Sequence, residues 1–315
     1  VDIALIASTI RHALIGAWLA SGITVLSPAQ AAPIPDDYKP LHVLNRLGYG
    51  PSPGDVEQVR AIGIDKYIEQ QLTPDSIPLP NKLRRQLDSL ETLRMDPVAL
   101  FREYGPPLKR DRQVDPAAAK EARHRARIIM EQALQARLAR AVANPRQLQE
   151  VMSDFWYNHF NVFAAKGLDH LWVGAYEEQA IRPHALGKFR DLLGATARHP
   201  AMLFYLDNWQ NTAPGSRGAR GKFQGLNENY ARELMELHTL GVDGGYTQDD
   251  VIALARILTG WGLGRAREHE VSKGGFVFDS RRHDFSDKVF LGQTIRGAGL
   301  SEGDRALDIL ARHPA

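Results

Sequence analysis

The sequence predicts a mainly α-helical fold, a multi-helix globular domain with a small β element near 274–291, on three observations. Apolar residues recur at helical spacing through most of the chain. The proposed helix ends carry capping, proline and glycine signals. Only "GGFVFDS" at Gly274–Ser280 reads as strand, by a Phe-Val-Phe run set between glycines and polar residues. Charge is nearly balanced, with 39 basic and 37 acidic residues, so no global field points to nucleic acid or an anionic membrane. The absence of cysteine removes disulfides, thiolate nucleophiles, Cys-ligated zinc and iron–sulfur clusters from consideration.

Residues 1–31 read as a signal peptide. Arg11 and His12 precede an apolar run, Ala13–Leu26, and Ala29-Gln30-Ala31 supplies a small-x-small cleavage site. The run falls short of the roughly 20 residues a bilayer span requires. The expectation is export to the periplasm or the extracellular space, with no permanent membrane span after cleavage. Residues 32–315 then read as a single helical domain.

Within that domain, "LHVLNRLGYGPSPGDVEQVRAIGIDKYIEQQL" gives helix, Gly/Pro turn and helix, with Leu41, Leu44 and Leu47 on one face and Val56, Val59 and Ile62 on the next. Ala117–Ala143 is a long basic helix whose apolar stripe is Ile128, Met130, Leu134, Leu138 and Val142, with its arginines on a solvated face. Further helices are expected over Leu148–Phe163, Pro183–Ala197, Leu226–Leu240 and Gln248–Trp261. Pro183 suits a first-turn position; Thr247 and Asp250 form a capping box, and Gly262 closes the last helix. "ARHPA" occurs at Ala197–Ala201, where it leads into another helix, and again at Ala311–Ala315. The second copy reads as a helix start, so the domain is expected to be truncated at its C-terminus.

The densest polar stretch is "NENYARELMELH", Asn227–His238. With Leu226 as the origin of a helical wheel, Tyr230, Leu234, Leu237 and Leu240 form a core stripe, and Glu233 falls about 20° from Leu226. A carboxylate there needs a cation, a donor or a raised pKa. Asn229 lies close behind, and Glu236, three residues on, lets two carboxylates reach one point, the geometry of a hard metal ion or of an acid–base pair. The plainer reading pairs Arg232 with Glu228 and Glu236. His159 in "FWYNHF" is either a core histidine or a ligand. Arg182 and His184, at a helix start, suit an anion or cap against Glu177 or Glu178. His283 and Asp284 follow the strand, where a metal ligand or base is commonly presented; a solvated loop is the alternative. The basic loop "NTAPGSRGARGKFQ" is either a lid over the following helix or a surface insertion. No nucleophile elbow, zincin, phosphate-loop or dinucleotide motif is present.

The segments "LNRLGYGPSPGDV", "FWYNHFNV", "IRPHALGKFRDLLGATARHPAMLFYLDN", "GLNENYARELMELHTLGVDGGYTQDDVIALARILTGWGL" and "FVFDSRRHDFSDKVFLG" together resemble the bacterial exported family catalogued as domain of unknown function 1800. The resemblance implies an exported, helix-rich protein longer at its C-terminus, with a co-exported protein partner, and it assigns no catalytic residue. The expectation from the residues is an exported metal-assisted hydrolase acting on extracellular material. Its catalytic residues would be Glu233, His283 and His159, and its substrate-binding residues Arg182, His184 and Asn229. Glu233, Glu236, His283 and Asp284 would hold Mg²⁺, Ca²⁺ or Zn²⁺. The alternative is a non-catalytic exported binding or assembly protein with an internal salt-bridge network.

Overall fold

Glycine and proline cut the N-terminal part of the chain into short helices, as a computed structural model describing residues 34–106, 116–221, 223–264 and 274–315 shows. The signal-peptide reading of 1–31 lies outside the described residues. Helices α1 (Lys39–Leu47), α2 (Asp55–Ile62) and α3 (Ile64–Leu72) follow one another, the last two parted by Gly63 at φ 87°, a conformation that costs glycine nothing. After α4 (Asn81–Asp88) comes α5 (Pro97–Tyr104), which starts on Pro97 and is capped by Asp96, whose side chain accepts from Val98 N at 2.8 Å.

The long helix α6 spans Pro116–Ala143, close to its expected limits, but it turns the opposite face inward. Ala122, Ala126, Ile129, Ala136 and Arg140 are buried, whereas Leu134 and Leu138 are each 58% exposed and Val142 82%. The cause is close approach. Helix α8 (Val173–Tyr176) packs on α6 through Gly174, where an added Cβ would lie 2.9 Å from Leu93 and 3.3 Å from Ala133. Only a small-residue face fits there, and the leucine stripe is left outside.

Helix α7 (Gln147–His159) precedes α8, which runs on into a π-helical stretch, Glu177–Ile181, and a 3-10 turn, Arg182–His184. The helix expected from Pro183 therefore does not start there; α9 is Phe189–Arg198, followed by α10 (Pro200–Tyr205). Helix α11 covers Asn229–Glu236, and α12 covers Gln248–Ile257 behind the Thr247–Asp250 capping box, whose two reciprocal bonds both form. The expected extension of α12 to Trp261 fails at Gly260, which adopts φ 81° with no room for a Cβ, 2.5 Å from Asp279 O. The chain leaves the helix there and becomes strand β1 (Trp261–Leu263), antiparallel to β2 (Phe276–Phe278) with Trp261 opposite Phe278. A second antiparallel pair, β3 (Lys288–Phe290) and β4 (Gln293–Ile295), leads to α13 (Leu300–Ala311). The fold is mainly α with two small sheets.

Residues 40–315 form one compact unit. Its core gathers Trp172, Tyr176, Leu193 and Met202 with Tyr230, Leu234, Leu254 and Trp261. A buried amide network fixes the start of α11: Asn208 donates to Leu258 O and Trp261 O, Asn211 donates to Ala255 O at 2.7 Å, and Asn227 N donates to Asn211 Oδ1 at 3.0 Å. No helix among the described residues is long and apolar enough to cross a membrane.

Candidate ligand-binding site

A cavity of about 580 Å³ opens between an apolar wall and a basic one. The apolar wall comes from three separate elements. Helix α5 gives Pro97, Val98 and Phe101, Leu168 and Trp172 flank the 3-10 turn Asp169–Leu171, and α10 gives Pro200 and Phe204. The rings lock in series, Phe101 to Trp172 at 6.4 Å, Trp172 to Phe204 at 5.9 Å, Phe204 to Trp209 at 5.7 Å, and Trp209 to Phe223 at 5.9 Å. Trp172 Nε1 donates to Pro97 O at 3.0 Å, so the wall satisfies its own polar atom.

The basic wall carries Arg217 and Arg220 from the loop before α11, and Arg281 and Arg282 from the 3-10 turn Ser280–Arg282. Backbone bonds clip the two segments together: Ala213 N donates to Arg282 O and Gly218 N to Arg281 O, both at 2.8 Å. Arg282 is buried, donates to Trp209 O at 2.9 Å, and lies 4.8 Å over the Phe223 ring. Glycine makes room for it. A Cβ on Gly218 would sit 2.4 Å from Arg282 Cγ, and one on Gly262 2.8 Å from its Nη2.

Four arginines thus face one carboxylate, Asp279, among the described lining residues. Burial raises the Asp279 pKa, but hydrogen bonds from Arg281 and the nearby guanidinium groups outweigh it and hold the group ionised below its ordinary value. Arg217 and Arg220 are exposed and form no ion pair with any described residue. Such a cavity can bury a ring or chain against aromatic side chains while arginines hold an anionic group. Histidine, serine and threonine are absent from its described lining, and its one carboxylate is already paired.

None of the residues expected to carry chemistry lines this cavity. Helix α11 spans only Asn229–Glu236, so Leu226, Leu237 and Leu240 of the expected core stripe lie outside it. The buried face is Tyr230, Ala231, Leu234 and Met235, Leu237 is exposed, and Glu233 is half-buried. No described side chain bonds Glu233, whose pKa is raised by partial burial and by Glu236, with Arg232 opposing. Arg232 stands between Glu228 at 3.3 Å and Glu236 at 3.8 Å. Asn229 donates to Leu206 O at 3.2 Å.

His159 reaches the end of α11, where its Nε2 donates to His238 O at 3.0 Å. His238 is buried 5.2 Å from the Phe160 ring, and burial, with His159 nearby, lowers its pKa to about 3. His283 and Asp284 lie in another cluster. His283 Nδ1 is 2.8 Å from Thr259 O and its Nε2 is 2.9 Å from Glu302 Oε1, so neither nitrogen offers a lone pair to a metal or a substrate. Burial raises the Asp284 pKa, but bonds from Arg256 at 2.7 Å and Ser286 at 2.9 Å outweigh it and bring the group to about 2. Glu233, Glu236, His283 and Asp284 therefore do not gather around one point, and among the described residues no group of three or more His, Asp or Glu could hold a metal ion.

Arg182 is engaged by Glu150 at 2.8 Å, Glu177 at 3.0 Å and Glu178 at 3.5 Å, with Arg140 on the far side of Glu178. His184 lines an open groove together with Glu178, Arg190 and Arg198. Without a helix starting at Pro183, no row of free N–H groups is available to an anion there.

The cavity went unread in the sequence because its rings come from positions 101 to 223, which no local period links. Two signals did point to its basic wall: the arginines of "NTAPGSRGARGKFQ" and the Arg281-Arg282 pair of "FDSRRHDFSDK". Arg217, Gly218, Arg220 and Phe223 of that loop line the cavity. Among comparisons with known proteins, a family model described as a protein of unknown function, DUF1800, matches residues 42–315. No curated protein and no solved structure matches the chain.

Proposed function

The chain belongs to the DUF1800 family of proteins of unknown function, and from its geometry we propose that it is an exported binding protein that takes an organic anion into the aromatic and arginine-walled cavity. One observation carries this reading: a cavity of about 580 Å³ is lined both by interlocked rings and by arginines, two of which form no ion pair with any described residue. Placement outside the cytoplasm rests on the sequence of residues 1–31 alone. The test uses 1-anilinonaphthalene-8-sulfonate, an aromatic anion that fluoresces in apolar surroundings, with Trp172 and Trp209 as internal reporters. Saturable one-to-one binding is expected, weakened by salt and at least tenfold weaker in the double variant Arg217→Ala/Arg220→Ala. Unchanged binding in that variant, or no binding to the wild type, sinks the reading.

A metal-assisted hydrolase at Glu233 is the second reading, supported by the raised pKa of Glu233 beside a second carboxylate. The described residues fit a metal poorly, since Glu236 is shared with Arg232 and His283 and Asp284 are engaged elsewhere. Calorimetric titration of wild type and Glu233→Gln with Mg²⁺, Ca²⁺ and Zn²⁺ decides it. Binding lost in the variant supports the hydrolase; no binding to the wild type removes it.

A further inference from the structure

We infer that the cavity selects an amphipathic anion, a carboxylate or sulfonate head on an aryl or acyl body, and discriminates against polyhydroxylated anions such as sugar acids. This rests on the organic-anion reading above and narrows its ligand class. The side chains lining the cavity divide into an apolar and a basic group. Pro97, Phe101, Leu168, Trp172, Pro200 and Phe204 make one side without a polar side-chain atom turned to the ligand, because Trp172 Nε1 already donates to Pro97 O. On the other side the polar side chains of the described lining are the four arginines, the ion-paired Asp279 and the Trp209 indole.

A sugar ring carries hydroxyls around its whole edge, each needing an acceptor and a donor once water is removed. Guanidinium groups donate and cannot accept, Asp279 is committed, and the described lining holds no asparagine, glutamine, serine or threonine. Hydroxyls turned to the apolar wall would therefore lose their water partners and gain none. A body without hydroxyls suffers no such loss, and a volume of about 580 Å³ is ample for a bicyclic ring or a medium acyl chain.

The head group has a defined place. Arg282 is held by Trp209 O and by Phe223 and sets the shape of the basic wall. Arg217 and Arg220 are exposed at its rim and are the guanidinium groups positioned to meet an incoming carboxylate or sulfonate. The body then lies against Phe204, Trp209 and Phe223, out of water.

Displacement of anilinonaphthalene sulfonate from the wild-type protein tests this with four competitors. 2-Naphthoate and decanoate represent the aryl and acyl sources, glucuronate a hydroxylated body with the same charge, and 2-naphthol the ring without the charge. The expected result is that at least one of naphthoate and decanoate displaces the dye at least tenfold more tightly than glucuronate, the stronger of the two identifying the body. Naphthoate is also expected to bind at least tenfold more tightly than naphthol, a margin that shrinks in Arg217→Ala/Arg220→Ala. Glucuronate competing as well as naphthoate and decanoate overturns the inference while leaving the organic-anion reading intact. Naphthol matching naphthoate overturns the role of the rim arginines. Failure of the dye itself to bind removes the broader reading.

Discussion

Glu302 on α13 and Asp169 behind the aromatic wall are both fully buried carboxylates, and the fold treats them in opposite ways. Glu302 accepts from His283 Nε2 at 2.9 Å, Ala298 N at 2.7 Å, Gly299 N at 2.8 Å and Lys288 Nζ. Burial alone would raise its pKa; the bonds from His283, Lys288 and Gly299 outweigh burial and hold it below the ordinary glutamate value. Neither oxygen of Asp169 has a hydrogen-bond partner among the described residues. Lys166, whose charge favours the ionised form, is turned to Asp207 at 2.9 Å, and burial, reinforced by Asp207, raises the Asp169 pKa to about 8. Depth does not decide the charge of a buried acid; the donors around it do. At Glu302 the charge ties three chain segments together, whereas at Asp169 a proton replaces it within the turn flanked by Leu168 and Trp172 of the cavity wall.

The largest effect expected from this contrast is at Glu302. Replacing Glu302 with Ala leaves the side chains of His283 and Lys288, both without solvent exposure, facing no carboxylate. Unfolding in denaturant should show a loss of about 3–5 kcal/mol at pH 7, the range for a broken buried pair. Because the folded-state pKa of Glu302 is lowered, its contribution is present above about pH 4.5 and is lost as pH falls. A loss below about 1 kcal/mol would mean that water or a neighbouring group replaces the carboxylate, and that Glu302 is no hub.

Asp169 should give the opposite sign. Its pKa rises from 3.8 unfolded to about 8 folded, so the folded chain holds a proton that the unfolded chain releases. Stability is fully present below about pH 4 and declines as pH rises to about 8, by about 2–3 kcal/mol once local relaxation is allowed for. Asp169→Asn, neutral at every pH, should flatten that decline and leave the variant more stable than the wild type at pH 8.5. Equal pH slopes for the two proteins would show that Asp169 is ionised and paired in solution.

The same distinction between local and distant causes explains what could be read from the sequence. The limits of α6, the Thr247–Asp250 capping box and the strand at Phe276–Phe278 are set by neighbours in the chain, and the sequence carries them openly. Which face of α6 is buried depends on Gly174, a residue of another helix, so the leucine stripe misled. The buried face of α11 depends on where it starts and ends, because Leu226, Leu237 and Leu240 of the expected stripe lie outside Asn229–Glu236. Asn227 Oδ1 accepts from Asn229 N at 3.1 Å, while Asn227 is itself held by Asn211, sixteen residues earlier. A wheel drawn from Leu226 could not register that contact. The aromatic wall is still less accessible, since each of its rings reads locally as ordinary core.

Glu233 is the intermediate case, and it sharpens the rule by having neither full burial nor donors. Half-buried on α11, it raises its pKa against Glu236 rather than recruiting a partner, and solvent remains in reach. The stability it contributes is therefore present at low pH and fades as pH rises through its raised pKa. Screening by solvent keeps that change small. Glu233→Gln should alter unfolding stability by less than about 0.5 kcal/mol at pH 7, in the stabilising direction. A destabilisation of about 2 kcal/mol would instead mean that Glu233 is charged and held by a strong partner in solution, placing it with Glu302 rather than between the two extremes.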